Sequence, residues 1–219
     1  MLSLTNANPL TILQLLLAGG EVTLEVSIGS WLVSVIAGLL FLAFRQAPYR
    51  PVRWAADFVI TCLRSMPQLV LLYLVFFGLG GIGININPIV SAIVALGLTE
   101  AGFTSEVYRA GLLTVSDEQR EAGASLGLGS FQIFRLIVLP EMVPFLVPPL
   151  LNSFVGLTKA ATIASAVGVP EILYQSTTII NETFQVLLVS MLVIVLYVIF
   201  TVPLTRLSAA LELRLGYAH

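Results

Sequence analysis

Apolar residues in this 219-residue chain run in long unbroken blocks. They show neither the period-two alternation of a half-buried strand nor the narrow stripe of a surface helix. Residues 26–44 and 183–205 contain no Asp, Glu, Lys or Arg, and each supplies the ~20 apolar positions that cross a bilayer as a helix. Residues 65–99 are also uncharged but are broken by GLGGIGININP, which reads as a loop between one span ending near Gly78 and another starting near Pro88. Residues 142–158 form a further block, continuous with apolar positions before it. The pattern predicts an all-α integral membrane protein: one domain with five transmembrane helices, at residues about 22–45, 54–79, 87–113, 132–158 and 183–207.

Basic residues predict the orientation. Arg45, Arg50 and Arg53 follow the first span, Arg109, Arg120 and Arg135 bracket the third span and the loop after it, and Arg206 and Arg214 follow the fifth. The intervening loops, residues 78–87 and 160–182, contain no Lys or Arg. The positive-inside rule then puts the N-terminus outside, the C-terminus in the cytoplasm, and the loop at about 116–130 on the cytoplasmic face.

Two interruptions carry local information. In CLRSMPQLV, Pro67 lacks a helix donor and drives Met66 out of helical geometry, so the second span is kinked there and residues 54–65 read as an oblique or interfacial helix. Arg64 either snorkels to the headgroups or makes a specific contact. In SDEQREAGASLGLGS, Ser116 and Gln119 form a capping box, with Asp117 and Glu118 in the first turn, where the helix dipole favours negative charge. Gly127 and Gly129 supply a permissive turn, after which Ser130 is placed to cap the next helix. Ala122, Gly123, Ala124 and Ser125 leave the short helix nearly bare. It is either a solvated turn or a helix that brings its backbone close to a partner.

Composition narrows the function. The chain is 58% hydrophobic and 10% charged with mean hydropathy +1.00, against about 25% charged for soluble domains. A net charge of -2 and scattered basic residues offer no nucleic-acid surface. Cys62 is the only cysteine and His219, the last residue, the only histidine, so Cys/His metal chemistry has no material. The N-terminal residues lack a basic n-region and a small-residue cleavage site, and no processed leader is expected. GLGGIG matches the dinucleotide fingerprint only in letters, because it follows a membrane helix rather than a strand, and NET at residues 181–183 is an accidental acceptor triplet.

Longer motifs carry a family resemblance. EAGASLGLGSFQIFRLIVLP resembles the cytoplasmic loop of ABC-importer permeases, through Glu121, Ala122, Gly127, Ile137, Leu139 and Pro140, with Gly123 where the family has a third alanine. CLRSMPQLV, SEVYRAGLLTVSDEQREA and LVPPLLNSFVGLTKAATIASAVGVPEIL resemble, in the same order, segments of the polar amino-acid permeases. Taken together they cover nearly the whole chain. The resemblance implies a type I ABC importer permease fold and a multi-pass location in the bacterial cytoplasmic membrane. It implies a coupling helix built on Glu121, Ala122, Gly123, Ser125, Leu126 and Gly127. The implied partners are two cytoplasmic ABC ATPases, a second permease subunit, identical or homologous, and an extracytoplasmic solute-binding protein that delivers a polar amino acid or related zwitterion. No cofactor is expected on this chain, which has no G-x-x-x-x-G-K-[ST] loop and is not an enzyme. ATP and Mg would be bound by the partner ATPases.

An ionisable group at a helix centre costs about 2.5–3.5 kcal/mol on insertion scales, so Glu100 and Lys159 are candidates for function. The resemblance implies a substrate cavity lined by Thr99, Glu100, Asn152, Ser153, Leu157, Lys159 and Ala160. Ala160 stands where the family usually has Asp, which leaves Glu100 as the nearby anion. Glu100 alternatively is protonated or faces a partner subunit, and Glu106 with Arg109, three apart, reads as a structural pair. A self-contained secondary transporter or channel would be expected to show internal repeats, and none is found. An intramembrane enzyme would need a serine paired with an internal base, or paired membrane aspartates, and the only aspartates, Asp57 and Asp117, fall near the predicted cytoplasmic side.

Overall fold

The computed structural model describes residues 8–214, without the Arg214 side chain, and no strand occurs among them. His219 lies outside the described residues. The helices are α1 (Pro9–Arg45), α2 (Arg50–Ser65), α3 (Gln68–Gly81), α4 (Pro88–Leu112), α5 (Asp117–Ser125), α6 (Ser130–Val167), α7 (Ile172–Thr183) and α8 (Val186–Arg214). Among the described residues α1, α4, α6 and most of α8 are long and apolar enough to cross a membrane, and α2 with α3 adds a fifth, broken span bent by 107°. The break falls at Pro67, with Met66 extended at φ -84, ψ 131.

The first helix begins at Pro9, well before residue 22. Asn8 is extended and Pro9 occupies the first helical position, where its missing N–H costs nothing, while Glu21 and Glu25 sit on exposed positions. A second departure is α7, a helix in the segment read as a loop between the fourth and fifth spans. A third lies at the start of α6. Gly129, not Ser130, is the capping residue, and Gln132 Oε1 accepts from its N–H at 2.9 Å.

The packing axis is α1 against α4. Gly29 faces Ile93, Val33 faces Gly97 and Gly38 faces Thr104, so the two helices run parallel. Their contact is built from small side chains. Thr23, Ser27, Ser30, Ser34 and Gly38 are all buried on α1, and Ala92, Ala95, Gly97, Ala101 and Ser105 are buried on α4. Small residues at three- and four-residue spacing let membrane helices approach closely where burial against lipid adds no hydrophobic drive. Several hydroxyls satisfy themselves on their own helix: Thr23 donates to the Gly19 carbonyl, Ser27 to Thr23 and Ser34 to Trp31. Trp31 Nε1 then donates to the Leu150 carbonyl at 2.9 Å and ties α1 to α6.

At the end of the fold where α1 and α4 finish, Glu106 gathers three arginines. Its Oε1 lies 2.7 Å from Arg45 Nη1 and 3.5 Å from Arg64 Nη1, and its Oε2 lies 2.8 Å from Arg109 Nε. Arg45 Nε also reaches Asp57 of α2 at 2.6 Å. Arg64 makes a specific contact, its guanidinium also lying 5.2 Å from the centre of the Phe103 ring. The hub holds the amphipathic helix α2 against the ends of α1 and α4. Its side chains are 22–49% exposed, so solvent weakens each pair. Glu106→Gln is expected to cost about 2 kcal/mol, seen as a lower thermal midpoint of the purified protein. An unchanged midpoint would show that the hub has no structural weight.

At the opposite end, Glu171 caps α7 from a fully buried position, its carboxylate accepting from the N–H groups of Tyr174 at 2.7 Å and Leu173 at 2.9 Å. The Ile172 N–H donates to Thr23 Oγ1 at 3.2 Å, so the start of α7 is fastened to α1. Burial pushes the Glu171 carboxyl up to about 7, against the two backbone hydrogen bonds that favour its charged form. A folded value above the unfolded value of about 4.3 means that the folded protein holds the extra proton between the two. The stability from this group is therefore full below about pH 4 and lost as pH rises through 7. The thermal midpoint should fall between about pH 4.5 and 7 in the native protein and level off above that, with a flatter profile in Glu171→Gln. Identical slopes in the two proteins would contradict this assignment.

Candidate functional site

The helix α5 is built as its sequence predicts. Ser116 Oγ accepts from the Gln119 N–H, and Gln119 Oε1 accepts in return from the Ser116 N–H at 2.9 Å. The Ser116 hydroxyl also holds the exposed Glu118 carboxyl below its ordinary range. The far end closes in a Schellman turn: the Leu128 N–H reaches the Gly123 carbonyl at 3.2 Å and the Gly127 N–H reaches Ala124 at 2.9 Å. Gly127 adopts φ 79, the left-handed conformation this turn requires, which a side chain would strain.

Three attachments fix how α5 faces. Arg120 Nη2 donates to the Leu112 carbonyl at 2.7 Å, at the last turn of α4. Gln119 Nε2 donates to Glu141 Oε2 on α6 at 2.9 Å. Gly123 is buried, and a Cβ there would stand 2.7 Å from Ile137 Cδ1 and 3.3 Å from Ile133 Cγ1. The missing methyl group thus lets α5 lie close on α6. Because the contacted atom is a movable side-chain tip, alanine could be fitted by a small shift of Ile137.

The outward side presents Glu121, Ala122, Ala124 and Ser125, all exposed, and ends in Leu126 at 81% exposure. Of the six residues expected on the docking helix, Gly123 therefore faces the protein's own α6, and Gly127 shapes the turn. Phe131, 72% exposed just beyond that turn, extends the apolar edge. It falls between the loop at about 116–130 and the span at about 132–158, so no role was assigned to it from the sequence. The Gly-Leu-Gly-Ser turn before it was the available signal that it stands at the surface.

The second group of candidates divides. Glu100 on α4 and Ser153 on α6 meet, the Ser153 hydroxyl donating to Glu100 Oε1 at 2.7 Å. Asn152, Gly156 and Lys159 are exposed at four- and three-residue spacing, so they share one face of α6, with Ala160 half-buried beside it. Nothing lies within 4 Å of where a Gly156 Cβ would be, so this face looks onto open space. Thr99 and Leu157 are not part of it. Thr99 is 3% exposed with its hydroxyl on the Ala95 carbonyl, and Leu157 is 1% exposed in the core between α1, α3, α4 and α6.

Comparison with known proteins accounts for the arrangement as a whole. Residues 31–217 match the family described as binding-protein-dependent transport system inner membrane component. The chain is 30% identical over 197 residues to the probable glutamine ABC transporter permease protein GlnM of Bacillus subtilis (strain 168), covering 90% of this chain and 91% of the relative. It is 27% identical over 210 residues to the histidine/lysine/arginine/ornithine transport system permease protein HisQ of Escherichia coli (strain K12), covering 91% and 92%. The crystal structure of an amino acid ABC transporter with histidines contains a chain that superposes with TM-score 0.85 at 26% identity, over 92% of this chain and 94% of that one. An inward-facing structure of the MetNI methionine ABC transporter shares the fold, with TM-score 0.66 at 24% identity over 90% and 96%. With the family match spanning most of its length and with these membrane-crossing helices, the chain belongs to the binding-protein-dependent transport system inner membrane components, the multi-pass permease subunits of ABC importers.

Proposed function

We propose that this chain forms one half of the translocation pathway of an importer for a polar amino acid or a related small zwitterion. Two cytoplasmic ATPases, which bind ATP and Mg, drive it, and an extracytoplasmic binding protein loads it. A second permease subunit, identical or homologous, forms the other half. The observation that carries the reading is α5: a capped helix pinned to α4 and α6 on one side, with Glu121, Ala122, Ala124, Ser125 and Leu126 left outward. The arginine-rich end that bears it is the cytoplasmic end. Curated relatives bear names of amino-acid permeases, which supports the substrate class.

Closure of the ATPase dimer draws the paired α5 helices together, and their attachments pass that motion on. Gln119 to Glu141 and the Gly127 turn lead into α6, and Arg120 leads into α4. The π-helical turn at Phe134–Val138 lies on this route. Pro140 has no N–H for the Leu136 carbonyl, so the hydrogen-bond ladder is already displaced where the motion enters the span. The two states differ in which side the α6 face of Asn152, Gly156 and Lys159 opens to, and the loaded binding protein shifts the balance by favouring one of them.

On this face Glu100 is the anion for a substrate ammonium, and Lys159 the cation for its carboxylate. Uptake by vesicles reconstituted with the ATPase and binding protein, tested across a panel of amino acids, defines the substrate. Glu100→Gln is expected to reduce uptake efficiency about tenfold, the scale of one charge-assisted contact, with ATPase co-purification unchanged. Wild-type transport by Glu100→Gln would remove Glu100 from the site.

A further inference from the structure

A cavity of about 840 Å³ opens at the arginine-rich end of the fold, between the end of α1, the last turn of α4 and the first turns of α6. Its walls are apolar, with Leu39 and Ala43 from α1 and Phe134 and Val138 from α6. Arg109 and Arg120 are among its lining residues. No carboxylate lines it. Leu39 and Phe134 are 48% and 43% exposed, so the apolar wall is open at the surface of the subunit.

We infer that this cavity binds an anionic phospholipid, with an acyl chain along Leu39, Ala43, Phe134 and Val138 and the phosphate between Arg109 and Arg120. Charge complementarity selects the occupant. In the neighbouring hub three arginines, Arg45, Arg64 and Arg109, share only Asp57 and Glu106, so positive charge is left over. Arg109 spends its Nε on Glu106. Arg120 spends Nη2 on the Leu112 carbonyl, while its Nε is sealed from solvent with no acceptor among the described residues. The guanidinium nitrogens of Arg109 and Arg120 not engaged in these contacts are charged donors for which phosphate oxygens are fitting acceptors. Free phosphate would leave the apolar walls unfilled, whereas a phospholipid of the adjoining leaflet fills both halves. Basic pockets between membrane helices at the cytoplasmic side suit such headgroups. Only the identity of that leaflet rests on the orientation proposed above.

Because Arg120 also fastens α5 to α4, a headgroup bound there would stiffen the joint between the docking helix and the spans. The test is native mass spectrometry of the complex purified in detergent, from vesicles of phosphatidylcholine mixed with phosphatidylglycerol. Wild-type complex is expected to retain phosphatidylglycerol in preference to phosphatidylcholine. Retention should fall about tenfold in the double variant Arg109→Gln, Arg120→Gln. Ala43→Trp, which fills the apolar part and leaves both arginines in place, should lose the lipid to a similar degree. Equal retention of the two lipids, or undiminished phosphatidylglycerol in Ala43→Trp, overturns the site. So does a photo-crosslinker at residue 43 that captures another protein chain instead of lipid. ATPase co-purification, scored in the same spectra, reports separately on the importer reading.

Discussion

Gly97→Leu is expected to abolish the folded protein. A Cβ at this position would lie 2.6 Å from Val33 Cβ, 2.7 Å from Val33 Cγ1 and 2.8 Å from the Ser30 carbonyl oxygen. Unlike the tip of a long side chain, a Cβ and a backbone oxygen move only with the helix that carries them. The substitution therefore forces α1 away from α4 and opens the buried stripe of Thr23, Ser27, Ser30, Ser34 and Gly38. Overpacking confined to movable side chains costs about 1–3 kcal/mol, and displacing a helix exceeds that, on the order of 4 kcal/mol or more. The readout is the yield of monodisperse protein and its thermal midpoint in detergent. Gly156→Leu is the control, because its Cβ meets open space and the variant should fold while narrowing the proposed pathway. A Gly97→Leu protein with the native midpoint would contradict the packing described.

Glu121→Arg is expected to uncouple transport while leaving the subunit folded. Glu121 is exposed on the outward side of α5, and its side chain makes no salt bridge or hydrogen bond among the described residues, so its reversal leaves the capping box and the attachments of Gln119, Arg120 and Gly123 in place. Truncating one partner of an interfacial charge pair costs about 2–5 kcal/mol, and reversal adds repulsion. At about 3 kcal/mol, binding of the ATPase weakens more than a hundredfold. Uptake in reconstituted vesicles should be lost, with an unaltered thermal midpoint for the isolated subunit. Full uptake by Glu121→Arg would remove Glu121 from the docking surface.

Local chemistry accounts for what was legible in the sequence. Pro67 broke the second span because a missing N–H acts wherever it sits, and Ser116 with Gln119 capped α5 because both partners lie within one turn. Glu106 and Arg109 paired as their spacing required, but the contacts of Glu106 to Arg45 and Arg64 join distant segments, and neither periodicity nor hydropathy reports them. Hydropathy alone did not reveal that the helix of the first span starts at Pro9, since Glu21 interrupts the apolar run without interrupting the helix; Asn8-Pro9 was the cue. The stripe from Thr23 to Gly38 was readable as small residues at helical spacing; its later part marks the α1 face that packs on α4, while Thr23 meets α7. At the candidate cavity, sequence could not separate Glu100 and Ser153, which meet, from Thr99 and Leu157, which turn into the core. Neighbours on one helix differ by about 100° in direction, and only the packing of the other spans decides which of them opens to the pathway.

The proposed role of α5 is to dock this subunit on a separate ATPase. Its most direct test is a pull-down of the tagged chain from detergent-solubilised native membranes, with mass spectrometry of what accompanies it, for the wild type and for Glu121→Arg. A P-loop ATPase should accompany the wild type, with or without a second permease, and should be lost from Glu121→Arg. A wild-type chain that repeatedly emerges alone and transports when reconstituted by itself would contradict that role.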